Sequence, residues 1–190
     1  MKKPHLLIIT VILCLVLTGS MSLAKDSGAE SIDEDKQAAG DNSDDATVYF
    51  DRGVDYLESG MYKESIEEFK QAIKIDPDYA KAHKTLAYVY TNFYMYKEAI
   101  ESLEHVVRIN ADATSHYNLG FVYGRSGTYK EAIEVLKVAI ERDPEHAMSY
   151  YNLSILYNSS SDKDSALEQH EILNSLDFDL SDQLLGLIQK

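Results

Sequence analysis

The residues best suited to chemistry in this 190-residue chain are the histidines at 83, 105, 116, 146 and 170. An imidazole can ligate a metal or act as a general base. His83 and His116 stand at equivalent places in a pattern that recurs along the chain, so a metal held by that pair is one reading. A packing role is favoured, because no second imidazole lies at helical ligand spacing from either. Tyrosine fills the same place elsewhere, at Tyr49 and Tyr150. The chain has no His-Glu-x-x-His zinc signature, phosphate-cradling loop or nucleophile elbow. Gly120, Gly124 and Gly127 follow no strand and are read as repeat positions. Glu64, Glu67 and Glu68 read as the solvated face of a helix, with nothing to set their pKa values apart as an acid–base pair requires. Cys14 is the sole cysteine and lies in an N-terminal apolar run. Asn152 and Asn158 open Asn-x-Ser sequences, which are discounted as glycosylation sites. The expectation is no catalytic, cofactor-binding or metal-ligating set, and no enzyme.

The elements that position these residues are repetitive. Gly53, Ala87, Gly120 and Ser154 lie 34, 33 and 34 residues apart, and each is followed three residues later by Tyr56, Tyr90, Tyr123 or Tyr157. Such a period marks stacked helical hairpins. In the first unit Tyr49, Gly53 and Tyr56 share one helical face, Gly60 breaks the helix, and a second helix opens near Tyr62. Asp76-Pro77 ends it, since proline cannot continue a helix and restricts the residue before it. Asn110-Ala111-Asp112 and Asp143-Pro144 end the next two units. Large side chains at the small positions would hold the helix axes apart. Gly53, Ala87, Gly120 and Ser154 are assigned to the contact inside each hairpin; Ser65, Ala99, Ala132 and Ala166 are assigned to the approach of the second helix to the next unit.

These residues resemble the tetratricopeptide (TPR) repeat, W-x2-L-G-x2-Y…A-x3-F…P over 34 residues. The resemblance spans 46–79, 80–112, 113–146 and 147–179. Its departures are the missing tryptophan, Arg52 for leucine, Ser154 for glycine, His170 for phenylalanine and Phe178 near the proline position. It implies an all-α fold: an α-solenoid of antiparallel helical hairpins, a TPR superhelix, closed by a capping helix over 180–190. It also implies a concave groove lined by the first helix of each hairpin, where a protein or peptide partner lies. The groove face of the first unit then carries Phe50, Asp51, Val54 and Leu57, and that of the second Lys81, Lys84, Tyr88 and Asn92. The third carries Tyr117, Asn118, Phe121 and Arg125, and the fourth Tyr151, Asn152, Ile155 and Asn158. Aromatic rings, amides and arginine suit recognition, giving large contact area and adaptable hydrogen bonds. Some TPR domains clamp a C-terminal carboxylate. Lys84 and Asn118 match that clamp, whereas Tyr88, Met148 and Asn152 do not, leaving only a looser carboxylate contact through Lys81, Lys84 and Arg125.

The formal net charge is −14. Without Lys2 and Lys3, 16 basic residues stand against 32 acidic ones, a net −16. That balance opposes nucleic acid and anionic lipid surfaces. Lys2 and Lys3, the stretch Leu6 to Leu17 and the small residues Ser22 and Ala24 predict a signal peptide over 1–24. Twelve residues are short for a membrane span. A flexible acidic linker follows over 25–45. The expected protein is an exported, periplasmic adaptor without cofactor. The alternatives are an uncleaved N-terminal membrane anchor, a self-associating structural protein of the cell envelope, and a binder of an envelope polymer.

Overall fold

The computed structural model describes residues 42–188, and every regular element among them is helical. Successive helices pair into hairpins: α1 (Asn42–Glu58) with α2 (Tyr62–Ile75), α3 (Ala80–Asn92) with α4 (Tyr96–Ile109), α5 (Ala113–Ser126) with α6 (Tyr129–Arg142), and α7 (Ala147–Ser159) with α8 (Lys163–Leu176). Each second helix also packs on the first helix of the next hairpin, and α9 (Phe178–Ile188) closes the series against α8 and α7. The expected all-α solenoid with a terminal capping helix is therefore present. The expected signal peptide over 1–24 and most of the linker over 25–45 lie outside the described residues.

The local sequence explains the breaks. The second helices end at Asp76, Asn110, Asp143 and Asp177, each with extended backbone, and proline follows two of them. Inside the hairpins the turn takes a left-handed residue: Gly60 (φ 74°), Tyr94 (φ 61°), Gly127 (φ 86°) and Ser161 (φ 64°). Glycine adopts this conformation without steric penalty. Tyr94 adopts it although it is a bulky residue and 72% exposed.

Two boundaries differ from the expected ones. The first helix begins at Asn42 and not at Ala46. Ala46 is the first buried residue of that helix, but a first turn needs no apolar side chain, and Asp45 there complements the positive end of the helix dipole. The last helix begins at Phe178 and not at Leu180, because the connection is the single residue Asp177. The Asp177 amide donates to the Leu173 carbonyl at the end of α8, and its carboxylate accepts from the Leu180 amide at 2.9 Å. Buried Leu184 then seats α9 against Tyr150 and Leu173.

The small residues do hold helices close, and Ser65, Ala132 and Ala166 also meet their own hairpin partner, while Ala132 clusters with Leu153 and Leu156 of the next unit. Ser65 Oγ donates to the Gly53 carbonyl at 2.8 Å, and Ser154 Oγ donates to the Ala166 carbonyl at 2.7 Å. A Cβ on Gly120 would stand 2.8 Å from Leu136 Cγ and 3.3 Å from the Ala132 carbonyl oxygen. A Cβ on Gly53 would stand 2.6 Å from the fully buried Phe69 ring. Gly53→Ala is expected to lower stability by about 1–3 kcal/mol, the usual penalty of overpacking a filled core. Gly186, helical with open space around it, is expected to respond oppositely, with Gly186→Ala raising stability by about 0.5–1 kcal/mol. Urea unfolding of both variants checks the pair.

Asp112 starts α5 by accepting from the Ser115 amide at 2.7 Å. Burial works against its charge, but the Ser115 amide, Lys84 and Asn110 outweigh that and hold the carboxyl below its ordinary 3.8. A lowered carboxyl stabilises the fold above the unfolded-state value, and that contribution is lost as pH falls through the folded-state value. Asp112→Asn keeps a capping side chain without the charge. Its stability deficit, measured by urea unfolding, is expected to be largest near neutral pH and to close as pH falls through the folded-state value.

Candidate functional site

The expected groove residues separate into a buried set and an accessible set. Phe50 belongs to the core: it is 3% exposed, with the rings of Phe69 and Tyr79 each 5.4 Å away between centroids. Its assignment to the groove is corrected, because the face of α1 that carries it is covered by α2 and by the residue leading into α3. Val54 and Leu57 are half-buried against the same cluster. Lys81 lies over the Phe50 ring, Nζ 4.6 Å from the centroid. Lys84 acts on the Asp112 carboxylate. Tyr88 is half-buried against the core of the first three hairpins, and Asn92 is exposed at the end of α3.

The third and fourth hairpins bring more of the set together. The Tyr117 ring stacks on Phe121 (6.3 Å between centroids) and meets His146 (5.0 Å). Asn152 Nδ2 donates to the Tyr117 hydroxyl oxygen at 3.1 Å and to the Met148 carbonyl at 3.2 Å. Burial pushes the Tyr117 phenol up, partly offset by the Asn152 bond. The Arg125 guanidinium carbon lies 5.9 Å from the Phe121 ring centroid, and among the described residues no carboxylate pairs with Arg125. Tyr151 is half-buried against the cluster that α9 completes, and Asn118 and Asn158 are half-exposed.

Between α5 and α7 lies a cleft of about 160 Å³. Phe121, Arg125, Asn152 and Ile155, all expected on the groove face, line it together with Gly124, Leu156 and Tyr129. Gly124 was placed among the repeat positions and is not one. Leu57, Thr91 and Asn158 hold its place in the other units. A Cβ there would stand 3.2 Å from Leu156 Cδ2, so the glycine keeps the cleft open. Tyr129 arrives from the start of α6, and the tyrosines that open α2, α4 and α6 are the only sequence signal for it. The arrangement is an apolar notch with one unneutralised cation on its wall and amide and hydroxyl groups beside it. It offers contact and hydrogen bonding, with no nucleophile next to a base.

His83 and His116, at the same repeat position, make separate backbone bonds. His83 bonds to the Pro77 carbonyl, while His116 Nδ1 donates to the Asp112 carbonyl. The second imidazole near His83 is His105, brought from α4 by the fold. Among the described residues no three His, Cys, Asp or Glu side chains converge as metal ligands.

Comparison with known proteins agrees with this architecture. Residues 53–92 match a family model described as TPR repeat, and residues 113–146 match one described as tetratricopeptide repeat. No curated protein matches the chain. Among solved structures, the MamA protein is 29% identical with a TM-score of 0.68, covering 75% of this chain and 80% of its own. YrrB, described as a TPR protein with an unusual peptide-binding site, is 25% identical with a TM-score of 0.66, covering 74% of each chain. A MamA structure from Desulfovibrio magneticus RS-1 shares the fold at 24% identity and a TM-score of 0.65, covering 70% of this chain and 76% of its own. The two matched segments are tetratricopeptide repeats, set within a solenoid of helical hairpins of the kind that MamA and YrrB form.

Proposed function

We propose that this chain is an exported TPR adaptor that holds a segment of a partner protein on the face formed by its first helices, without catalysis. The observation that carries the proposal is the α5–α7 cleft: apolar walls from Phe121, Ile155 and Leu156, a floor opened by Gly124, and Arg125 on the wall with no carboxylate partner among the described residues. A bulky apolar side chain of the partner enters the notch, and an acidic group beside it meets Arg125. Desolvated pockets of this kind, with an aromatic or arginine anchor, dominate binding energy in protein interfaces. The peptide-binding site named for YrrB supports the class of ligand. Tyr117, Tyr151 and Asn152 flank the notch and lengthen the contact. Lys81 and Lys84 extend the same charge preference along α3, while the rest of the surface, in a chain of net charge −14, repels competing acidic segments. Export rests on the N-terminal sequence, with Lys2 and Lys3 before the apolar stretch Leu6 to Leu17.

Affinity capture from the secreted and periplasmic fraction of the native cell checks the site, with Arg125→Glu beside Lys97→Glu. Lys97 is exposed on the second helix α4, so the two variants change charge equally on different faces. Partner recovery is expected to fall at least about tenfold with Arg125→Glu, the scale of a lost interfacial anchor, and to survive Lys97→Glu. Equal recovery with both variants would place the partner elsewhere.

A further inference from the structure

His83 on α3 and His105 on α4 stack with ring centroids 4.4 Å apart and planes tilted by 35°. Both direct Nε2 at one acceptor, the Pro77 carbonyl oxygen, at 2.9 and 2.8 Å. A carbonyl only accepts, so each ring carries its proton on Nε2. In the neutral rings both Nδ1 atoms are then lone pairs. His105 Nδ1 accepts from the Arg108 guanidinium at 2.8 Å. His83 Nδ1 is buried with no hydrogen-bond partner, in a residue 9% exposed.

The charged rings fit this geometry worse than the neutral ones. A proton on His105 Nδ1 would face the N–H groups of Arg108. A proton on His83 Nδ1 would be a buried donor without an acceptor. Two imidazolium rings would place like charges in contact. The surrounding groups act in both directions. Asp78 Oδ1, on the loop before α3, stands 3.3 Å from His105 Nε2. Glu98 and Glu101 of α4, Lys70 of α2 and Tyr90 of α3 line the surrounding hollow with the two histidines and Arg108. At His83 burial opposes protonation, the Pro77 carbonyl and Asp78 favour it, and His105 and Arg108 oppose it. The net direction is down from the ordinary 6.5.

The fourth hairpin shows that the packing does not require histidine. Tyr150 holds the place of His83, and its hydroxyl donates to the Pro144 carbonyl at 3.1 Å. In both units the carbonyl lies six residues before the ring. A phenol fills the space and makes the same bond. What His83 adds is an imidazole that an opened junction protonates near neutral pH and the closed packing resists.

We propose that the stacked His83 and His105 beneath the Pro77 carbonyl form an acid-sensitive latch at the junction of the first and second hairpins. Pro77 lies between α2 and α3, so the latch ties the connection between the hairpins to both helices of the second one. The folded state resists protonating His83, and an opened junction does not. The stabilisation is therefore complete above the unfolded-state value and is lost as pH falls below it. One extra proton taken up on opening raises the opening equilibrium by up to about tenfold per pH unit.

Hydrogen exchange read at the Ala82 and His83 amides tests this, since both donate to the Tyr79 carbonyl at the start of α3. The reference is the Ala132 amide, which donates to the Thr128 carbonyl in the third hairpin. Between pH 7.5 and 5.5, protection corrected for intrinsic exchange is expected to fall, by up to about tenfold, at Ala82 and His83 relative to Ala132. His83→Tyr, which copies Tyr150, is expected to abolish that dependence, and His105→Gln to reduce it. Should His83→Tyr not fold, His105→Gln carries the comparison. Equal pH dependence in the wild type and the folded variants would overturn the latch. So would protection at Ala82 that persists while the His83 ring titrates.

Discussion

Where α1 crosses α2, and again where α5 crosses α6, one helix packs on the bare backbone of the other. Gly53 leaves room for the Phe69 ring, and Gly120 leaves room for Leu136 and the Ala132 carbonyl. A single methyl at either glycine would enter a space already filled. In the first and fourth hairpins the contact gains a polar component, because Ser65 and Ser154 each donate to a carbonyl of the facing helix. No hairpin can hide its own apolar stripe alone, so each leaves it to a neighbour. The result is one cluster running from Phe50 and Phe69 through Leu86 and Leu103 to Leu119 and Val122. That dependence on neighbours is general to repeat stacks.

Close approach on one side of a first helix leaves its other side free. α5 spends Gly120 on the contact with α6 and presents Phe121 and Arg125 toward α7. Gly124, one turn on, removes the side chain that would have met Leu156, and the gap becomes the cleft. The cleft is thus a by-product of how the hairpins close, lined by residues the hairpins do not need. The inter-hairpin loops follow the same economy. An aromatic residue six positions after the proline ties the loop down through a carbonyl, as Tyr150 does for Pro144 and His83 does for Pro77.

The fold was legible because its determinants are local and periodic. Glycine, alanine and serine at a fixed spacing, tyrosine three residues on, and Asp-Pro at the ends locate the helices to within a few residues. What escaped were properties that depend on pairs of distant residues. Phe50 looked accessible on a helical wheel, but Tyr79, from the end of the next connection, covers it. His105 has no relation to His83 in the repeat, and only the packing of α4 on α3 stacks their rings. Gly124 was absorbed into a run of glycines, although its place in the other units belongs to leucine, threonine and asparagine. The turn at Tyr94 carried no glycine signal, and the backbone there follows its neighbours and not its own preference. The cleft itself was half visible, since four of its residues were expected on one face and the glycine that opens it was not.

Steric room at the helix crossings sets the packing. A double-mutant cycle on Gly120→Ala and Leu136→Ala measures this directly, because the added methyl and the removed side chain occupy the same space. Leu136→Ala alone creates a cavity worth about 2–5 kcal/mol. The predicted result is strong coupling, in which the double variant is more stable than the sum of the single effects by at least about 1 kcal/mol. Strict additivity would mean that the two residues do not compete for one space, and would contradict the account.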